Sequence, residues 1–211
     1  MGLFSIAIAQ AQTAKGDWLT GGSLFLSSTS TESNSIIGKL TTVDNDFSIN
    51  AIGAYFITDN LATGVGLGWA YSASTNNYEP LEVTDFNTTF TVEALARYYY
   101  YDNEVFQLWV GAGLRFGFGS YDNHFAELDS TGTYAENNQI DKLTTNSIGI
   151  GPGAAIKLTP KLSLDIYLGS LGYTTYNFKS EDSSYDYKAT SFGFSFAQNF
   201  GFGLVYRFSG G

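Results

Sequence analysis

The chain has 211 residues, the size of one ordinary domain, and its 20 acids against 10 bases leave a net charge of -10, which argues against a nucleic-acid partner because phosphates need a basic face. It contains no cysteine and one histidine, which excludes a disulfide framework, a thiolate zinc site, a catalytic thiol and a histidine-rich metal centre. Glycine is abundant at 24 residues, aromatics reach 17 % and charged residues only 14 %; no apolar run approaches the ~18 residues of a membrane helix, so any crossing of a membrane falls to strands.

The chain opens on an apolar stretch, Leu3-Phe4-Ser5-Ile6-Ala7-Ile8-Ala9, that runs into the small-x-small pattern Ala9-Gln10-Ala11. This reads as the end of a secretory signal over 1–11, without the usual basic start, cleaved after Ala11. The remainder, 12–208, reads as one domain, followed by a short tail, 209–211.

From Trp18 onward the dominant period is two. Segment 18–28 carries Trp18, Leu24 and Leu26 and is the weakest. Segment 46–57 sets Phe47, Ile49, Ala51 and Tyr55 against Ser48 and Asn50. Segment 61–72 alternates Leu61, Val65, Leu67, Trp69 and Tyr71 with Gly64, Gly66 and Gly68. Segment 88–101 has Phe90, Val92, Ala94, Ala96, Tyr98 and Tyr100 on one face. Segment 105–119 has Phe106, Leu108, Val110, Leu114, Phe116 and Phe118, with Gly111, Gly113 and Gly117 opposite. Segment 144–158 sets Ile148, Ile150, Ala154, Ile156 and Leu158 against Ser147, Gly149, Gly151 and Gly153. Pro152 falls inside it and predicts a bulge or a water-bridged ladder position, because proline has no N–H for the ladder. Segment 162–178 starts on Leu162, Leu164, Ile166 and Leu168, then switches parity to Leu171 and Tyr173, which predicts a bulge near Gly169. Segment 190–208 has the longest alternation, from Phe192 to Phe208, broken at Gln198.

Eight strands follow. Three connections are short, around Asp59-Asn60, Asp102-Asn103 and Pro160-Lys161. Four are long, roughly 29–45, 73–87, 120–143 and 179–189, and hold most of the acids. Face parity is conserved across each short connection, so each turn holds an odd number of residues. Three-residue turns fit: Thr58-Asp59-Asn60, Asp102-Asn103-Glu104 and Thr159-Pro160-Lys161.

The face opposite the bulky residues is too rich in Gly, Ser and Thr for a stable solvent surface. It also carries Glu93, Arg97, Arg115, Lys157, Asp165 and Arg207. An inside-out arrangement resolves this, with the bulky face toward lipid and the small and charged face filling a narrow lumen. Strands cross lipid only when all backbone groups are paired, which requires closure. The fold expected is therefore all-β: an eight-stranded antiparallel up-and-down transmembrane β-barrel with meander topology. The short turns and both termini are expected on the periplasmic side and the long loops outside. The six are expected as the charges of the lumen: Glu93 and Arg115 at similar height on neighbouring strands, Asp165 and Arg97 lower and at similar height three strands apart, these carboxylates and guanidiniums forming a buried hydrogen-bonded network that closes the lumen to bulk solutes.

On this pattern the chain resembles the small outer-membrane β-barrels of the OmpA/OmpX type over roughly 16–208. Such proteins commonly end in an aromatic residue with apolar residues at every second position before it, and Phe202, Leu204, Tyr206 and Phe208 match; Ser209-Gly210-Gly211 then follow where the family pattern stops. The resemblance implies residence in the outer membrane of a Gram-negative-type envelope, contact with outer-membrane lipid, and recognition of that C-terminal end by the barrel-assembly machinery during insertion. It also implies a side-chain-filled lumen and a non-enzymatic protein whose four acidic loops serve a structural, adhesive or recognition role toward an unidentified loop ligand.

The alternatives are a narrow ion or solute channel, a lipid-modifying membrane enzyme and a soluble ligand-binding barrel. No catalytic, cofactor or metal residue stands out. His124 lies in a loop beside Asp122 and Glu127 with no Ser-based motif around it. The acids lack the spacing of a calcium loop, and the Gly-x-Gly runs lie within strands and open no helix.

Overall fold

The computed structural model describes residues 13–35, 38–78, 81–128, 134–180 and 186–209. The proposed signal segment 1–11 and most of the tail lie outside them. Eight antiparallel strands run in chain order: β1 (Trp18–Ser35), β2 (Gly38–Phe56), β3 (Leu61–Tyr78), β4 (Leu81–Asp102), β5 (Phe106–Leu128), β6 (Tyr134–Lys157), β7 (Leu162–Ser180) and β8 (Asp186–Phe208). Each pairs with its sequence neighbour, and β1 pairs with β8 to close the barrel.

The faces follow the alternation. Val65, Leu67, Val92, Leu114, Phe116, Ile148, Ile150, Phe202 and Leu204 are all exposed on the outer wall. On the opposite face, Asn50 pairs with Gly68, Gly66 with Glu93, and Glu93 with Arg115. Directly opposed residues share a face, so these positions line the lumen.

The strands are longer than the alternation predicts, from 18 to 24 residues, about twice the ~9–11 needed to cross a bilayer. The four stretches expected as long loops are largely strand. Thr29 to Ser35 on β1 pairs with Gly38 to Asp44 on β2, and Ser120 to Leu128 on β5 pairs with Tyr134 to Lys142 on β6. An antiparallel pair beyond the bilayer can carry polar residues on both faces, because both are wet. Cross-strand polar contacts stabilise these extensions. Ser28 Oγ bonds Asn45 Oδ1 at 2.8 Å, Thr42 Oγ1 bonds Asn76 Oδ1 at 2.8 Å, and the Thr75 and Thr84 hydroxyls meet at 3.3 Å.

The short turns share one device, a side-chain oxygen at the turn that accepts from two backbone N–H groups. Thr58 accepts from Asn60 and Leu61, and Thr159 from Lys161 and Leu162. Ile57 N–H to Leu61 O (2.9 Å) and Leu158 N–H to Leu162 O (2.8 Å) close the expected loops Thr58-Asp59-Asn60 and Thr159-Pro160-Lys161. The middle turn differs. Asn103 N–H bonds Phe106 O at 3.0 Å, which leaves only Glu104-Val105 between them. The odd residue is instead Tyr100, bulged where the β4–β5 register shifts between Tyr99 and Tyr101. A two-residue turn plus a one-residue bulge conserves face parity as well as a three-residue turn does.

Two further irregularities fall where the sequence placed them. The β6–β7 register shifts between Ile150 and Gly153, across Pro152. The β7–β8 register shifts between Tyr167 and Gly169, where Gly169 has φ 151°, a value side-chain-bearing residues rarely adopt. Across from Leu168, residues 197–200 of β8 have no β7 partner. Gln198 therefore sits in the irregularity, which is why it interrupts the alternation.

Candidate functional site: the barrel lumen

The lower lumen, at the short-turn end, is filled. Leu19, Ala54, Phe56, Ala62, Tyr99, Trp109 and Val205 form one buried cluster, with Ile52, Leu95 and Tyr167 packed against it. Phe56 and Tyr99 rings lie 5.5 Å apart, and Trp109 meets Tyr167 edge-on at 5.1 Å. The expectation of a lumen filled by small and charged residues is corrected here, because aromatic rings make its floor. Gly111 and Gly153 make room for one of them, since a Cβ at either would run into the Trp109 ring.

Arg97 is set into this floor. Its guanidinium lies 4.4 Å over the Trp109 ring. Nη1 donates to Asp165 Oδ2 at 2.5 Å, and Nη2 donates to the Tyr167 hydroxyl. The Arg97 and Asp165 side chains are 4 % and 3 % exposed. The bond joins β4 to β7 across the lumen, and stacking plus charge-assisted bonding offsets the desolvation of both groups. Below it, at the mouth, Lys157 Nζ donates to Asp102 Oδ1 and to the Asn103 carbonyl at 2.6 Å, and Gln107 Nε2 donates to Asp102 Oδ2 at 2.8 Å.

Above the floor lies a cavity of about 450 Å³ lined by Arg97, Trp109, Asp165 and Tyr167 below, and by glycines interspersed with Asn50, Thr91 and Ser147 around its wall. Arg115 Nη2 donates to Glu93 Oε2 here at 2.9 Å, with side chains 50 % and 25 % exposed. Gly113 lets this pair lie flat, because a Cβ there would meet the Glu93 carboxylate.

Glu93 with Arg115 and Arg97 with Asp165 pair at the two heights expected, and the six charged residues fall into separate groups. Arg97 with Asp165 is buried in the floor, Glu93 with Arg115 is half-wet in the cavity, and Lys157 pairs at the mouth with Asp102. Arg207 stands at the rim, where Nη2 donates to the Pro160 carbonyl at 3.2 Å. The separation follows from height, since the pairs stand at different levels of the barrel. Sequence reasoning missed Asp102, Phe56, Tyr99, Trp109 and Tyr167. The signal was present: the odd parity that puts Glu93 and Arg97 inside puts Tyr99 there too. Asp102 was hidden because the Tyr100 bulge resets parity beyond it.

Phe202, Leu204, Tyr206 and Phe208 all point outward on β8 and are exposed. Among the described residues no group of three or more His, Cys, Asp or Glu side chains is placed to hold a metal. His124 lies on β5 opposite Thr84 rather than in a loop. The lumen thus has an apolar floor crossed by paired charges, under a cavity of mixed character.

Three crystal structures are similar to the chain. Neisserial surface protein A is 16 % identical, with 92 % of this chain and 98 % of that one covered at a TM-score of 0.37. The N-terminal β-barrel domain of Pseudomonas aeruginosa OprF is 12 % identical, with 93 % and 100 % covered at 0.32. A major outer membrane protein from Thermus thermophilus is 16 % identical, with 91 % and 98 % covered at 0.37. No curated protein matches. The family model for the outer membrane protein beta-barrel domain matches residues 1–208, nearly the whole chain, so this protein belongs to that family and is a β-barrel protein of the outer membrane.

Proposed function

We propose that the protein is a non-conducting, non-enzymatic barrel whose extended polar hairpins serve a structural, adhesive or recognition role at the cell surface. The observation that carries this reading is the lumen floor, where Phe56, Tyr99 and Trp109 pack around a dry Arg97–Asp165 pair. Charges held in such pairs are neither free to lead ions through nor poised to activate a nucleophile. Outer-membrane lipid surrounds the apolar wall, the barrel-assembly machinery reads the Phe202, Leu204, Tyr206, Phe208 face during insertion, and the net charge of -10 keeps nucleic acid away. Planar-bilayer recording of the purified protein tests the closed lumen. No steady open-channel current is expected from the unmodified chain, and Arg97→Ser with Trp109→Ala is expected to create one. A steady conductance in the unmodified protein makes it a narrow channel instead.

A further inference from the structure

The cavity above the floor is built from rows of register partners. Glu93, Arg115, Ser147 and Thr174 stand side by side on β4, β5, β6 and β7, and all line the cavity. Two residues nearer the short turns, about 7 Å along the strands, the same strands carry Leu95, Gly113, Gly149 and Gly172. Two residues further on, Arg97 is followed by Gly111 and Gly151. A polar shelf therefore overhangs a slot of bare backbone, and Ile52, Leu95, Trp109 and Val205 make the bottom of that slot apolar. Packing alone does not require the slot to be empty. A Cβ on Gly111 would meet the Trp109 ring and one on Gly113 the Glu93 carboxylate, but a Cβ on Gly149 meets nothing nearer than 3.5 Å. A strand glycine with open space before it lets a ligand approach the backbone closely, and about 450 Å³ is the size of a small-molecule site.

The shelf offers charges of both signs with bonding capacity left over. Arg115 gives an Nη2 hydrogen to Glu93 Oε2. Among the described residues its Nε and Nη1 hydrogens meet no protein acceptor, and Glu93 Oε1, which lies over Gly113, meets no protein donor. Next to Arg115 in the row come the Ser147 and Thr174 hydroxyls. The lumen nearer the hairpins is acidic, because Asp44, Asp46 and Asp85 take the inner face there while Lys179 and Lys188 take the outer one. That field disfavours a simple anion at the entrance and admits a molecule that carries its own ammonium group.

We propose that the shelf and slot bind a free α-amino acid with an apolar side chain, which enters from the hairpin end. The ammonium group donates to Glu93 Oε1. The carboxylate accepts from Arg115 and from the hydroxyls beside it. The side chain lies in the glycine slot, over the Trp109 edge and against Leu95. This goes beyond the non-conducting reading, because the ligand enters and leaves by the same end and stops above the floor.

The test is equilibrium binding of tritiated leucine to the purified full chain in detergent micelles. Saturable binding is expected, displaced by unlabelled leucine and by phenylalanine. Isocaproate, which lacks the ammonium group, and leucinamide, which lacks the carboxylate, are expected not to displace it at the same concentration. Glycine, which leaves the slot empty, is expected to compete about tenfold more weakly or less. Glu93→Gln is expected to weaken leucine binding about tenfold or more, and Gly149→Leu, which fills the slot, to abolish it, with the heat-modifiable gel mobility of the folded barrel kept in both. Glu93→Gln alone decides if Gly149→Leu does not fold. The proposal is overturned by an absence of saturable leucine binding, by displacement with isocaproate or leucinamide equal to that with leucine, or by a folded Glu93→Gln chain that binds leucine as tightly as the unmodified one.

Discussion

Arg97 crosses the lumen to Asp165, and both side chains are almost dry. Removing one charge leaves the other buried without a partner, so Arg97→Met is expected to cost about 3–5 kcal/mol, read by urea unfolding in vesicles. Replacing both together, Arg97→Met with Asp165→Leu, is expected to recover most of that loss, because neither charge is then desolvated. Glu93→Gln is the contrast: the Glu93–Arg115 pair is half-wet, and its loss is expected to cost under about 1 kcal/mol. Equal losses from Arg97→Met and Glu93→Gln would show that the floor pair is hydrated.

Glycines give a second contrast at this scale. A Cβ on Gly153 would strike the Trp109 ring, whereas a Cβ on Gly149 meets nothing nearer than 3.5 Å. Gly153→Ala is therefore expected to cost about 1–3 kcal/mol by overpacking, and Gly149→Ala to lie within about 0.5 kcal/mol of neutral. Parity made the facing of these residues legible in the sequence. It could not tell which ring a given glycine shelters, because that depends on a neighbouring strand's register.

The strands themselves were legible where lipid meets one face, since only there must large apolar residues alternate with small ones. Pro152 and the parity switch after Leu168 marked their register shifts for the same reason. Legibility ended where both faces are wet: Thr41-Thr42-Val43 and Asn76-Asn77 lie in paired strands but carry no one-sided pattern. The C-terminal strand carries the prediction at this scale. Phe208 and Tyr206 pair with Trp18 and Thr20 in the seam, and their rings lie 4.7 Å apart. Phe208→Ala with Tyr206→Ala is expected to lower membrane insertion in cells more than Phe90→Ala with Val92→Ala does. Each pair removes outward apolar area worth ~1.5–3 kcal/mol per side chain when fully buried, so hydrophobicity alone predicts similar losses. Trp18→Ala separates seam packing from recognition, because it weakens the same seam from the other strand. If Trp18→Ala lowers cellular insertion as far as the Phe208 and Tyr206 variant does, those two residues act only as seam and wall.

At the scale of the whole molecule the barrel has two unlike ends. One has three tight turns fixed by Thr58, Asn103 and Thr159, the buried Lys157–Asp102 pair, and an N-terminal segment tucked beneath it, where Gly16 N–H bonds Phe56 O at 3.0 Å and Lys15 N–H bonds Asp59 Oδ1 at 2.9 Å. The other end carries polar hairpins that run past the apolar wall and hold Glu32, Asp44, Asp46, Asp85, Asp122 and Asp141. Barrels of this kind keep short turns on the periplasmic side and long connections outside, so the tight end is expected on the periplasmic side. The hairpins then project outward, and their acidity repels other anionic surfaces at low salt but is screened over about 10 Å at 0.1 M. Proteinase K added to intact cells is expected to cut within 120–143 or 73–87 and to leave a membrane-embedded core. The turns at Asp59, Asn103 and Pro160 are expected to become cleavable only after the outer membrane is opened. Cleavage of intact cells confined to those turns would place the barrel upside down, with its tight turns outward and its acidic hairpins in the periplasm.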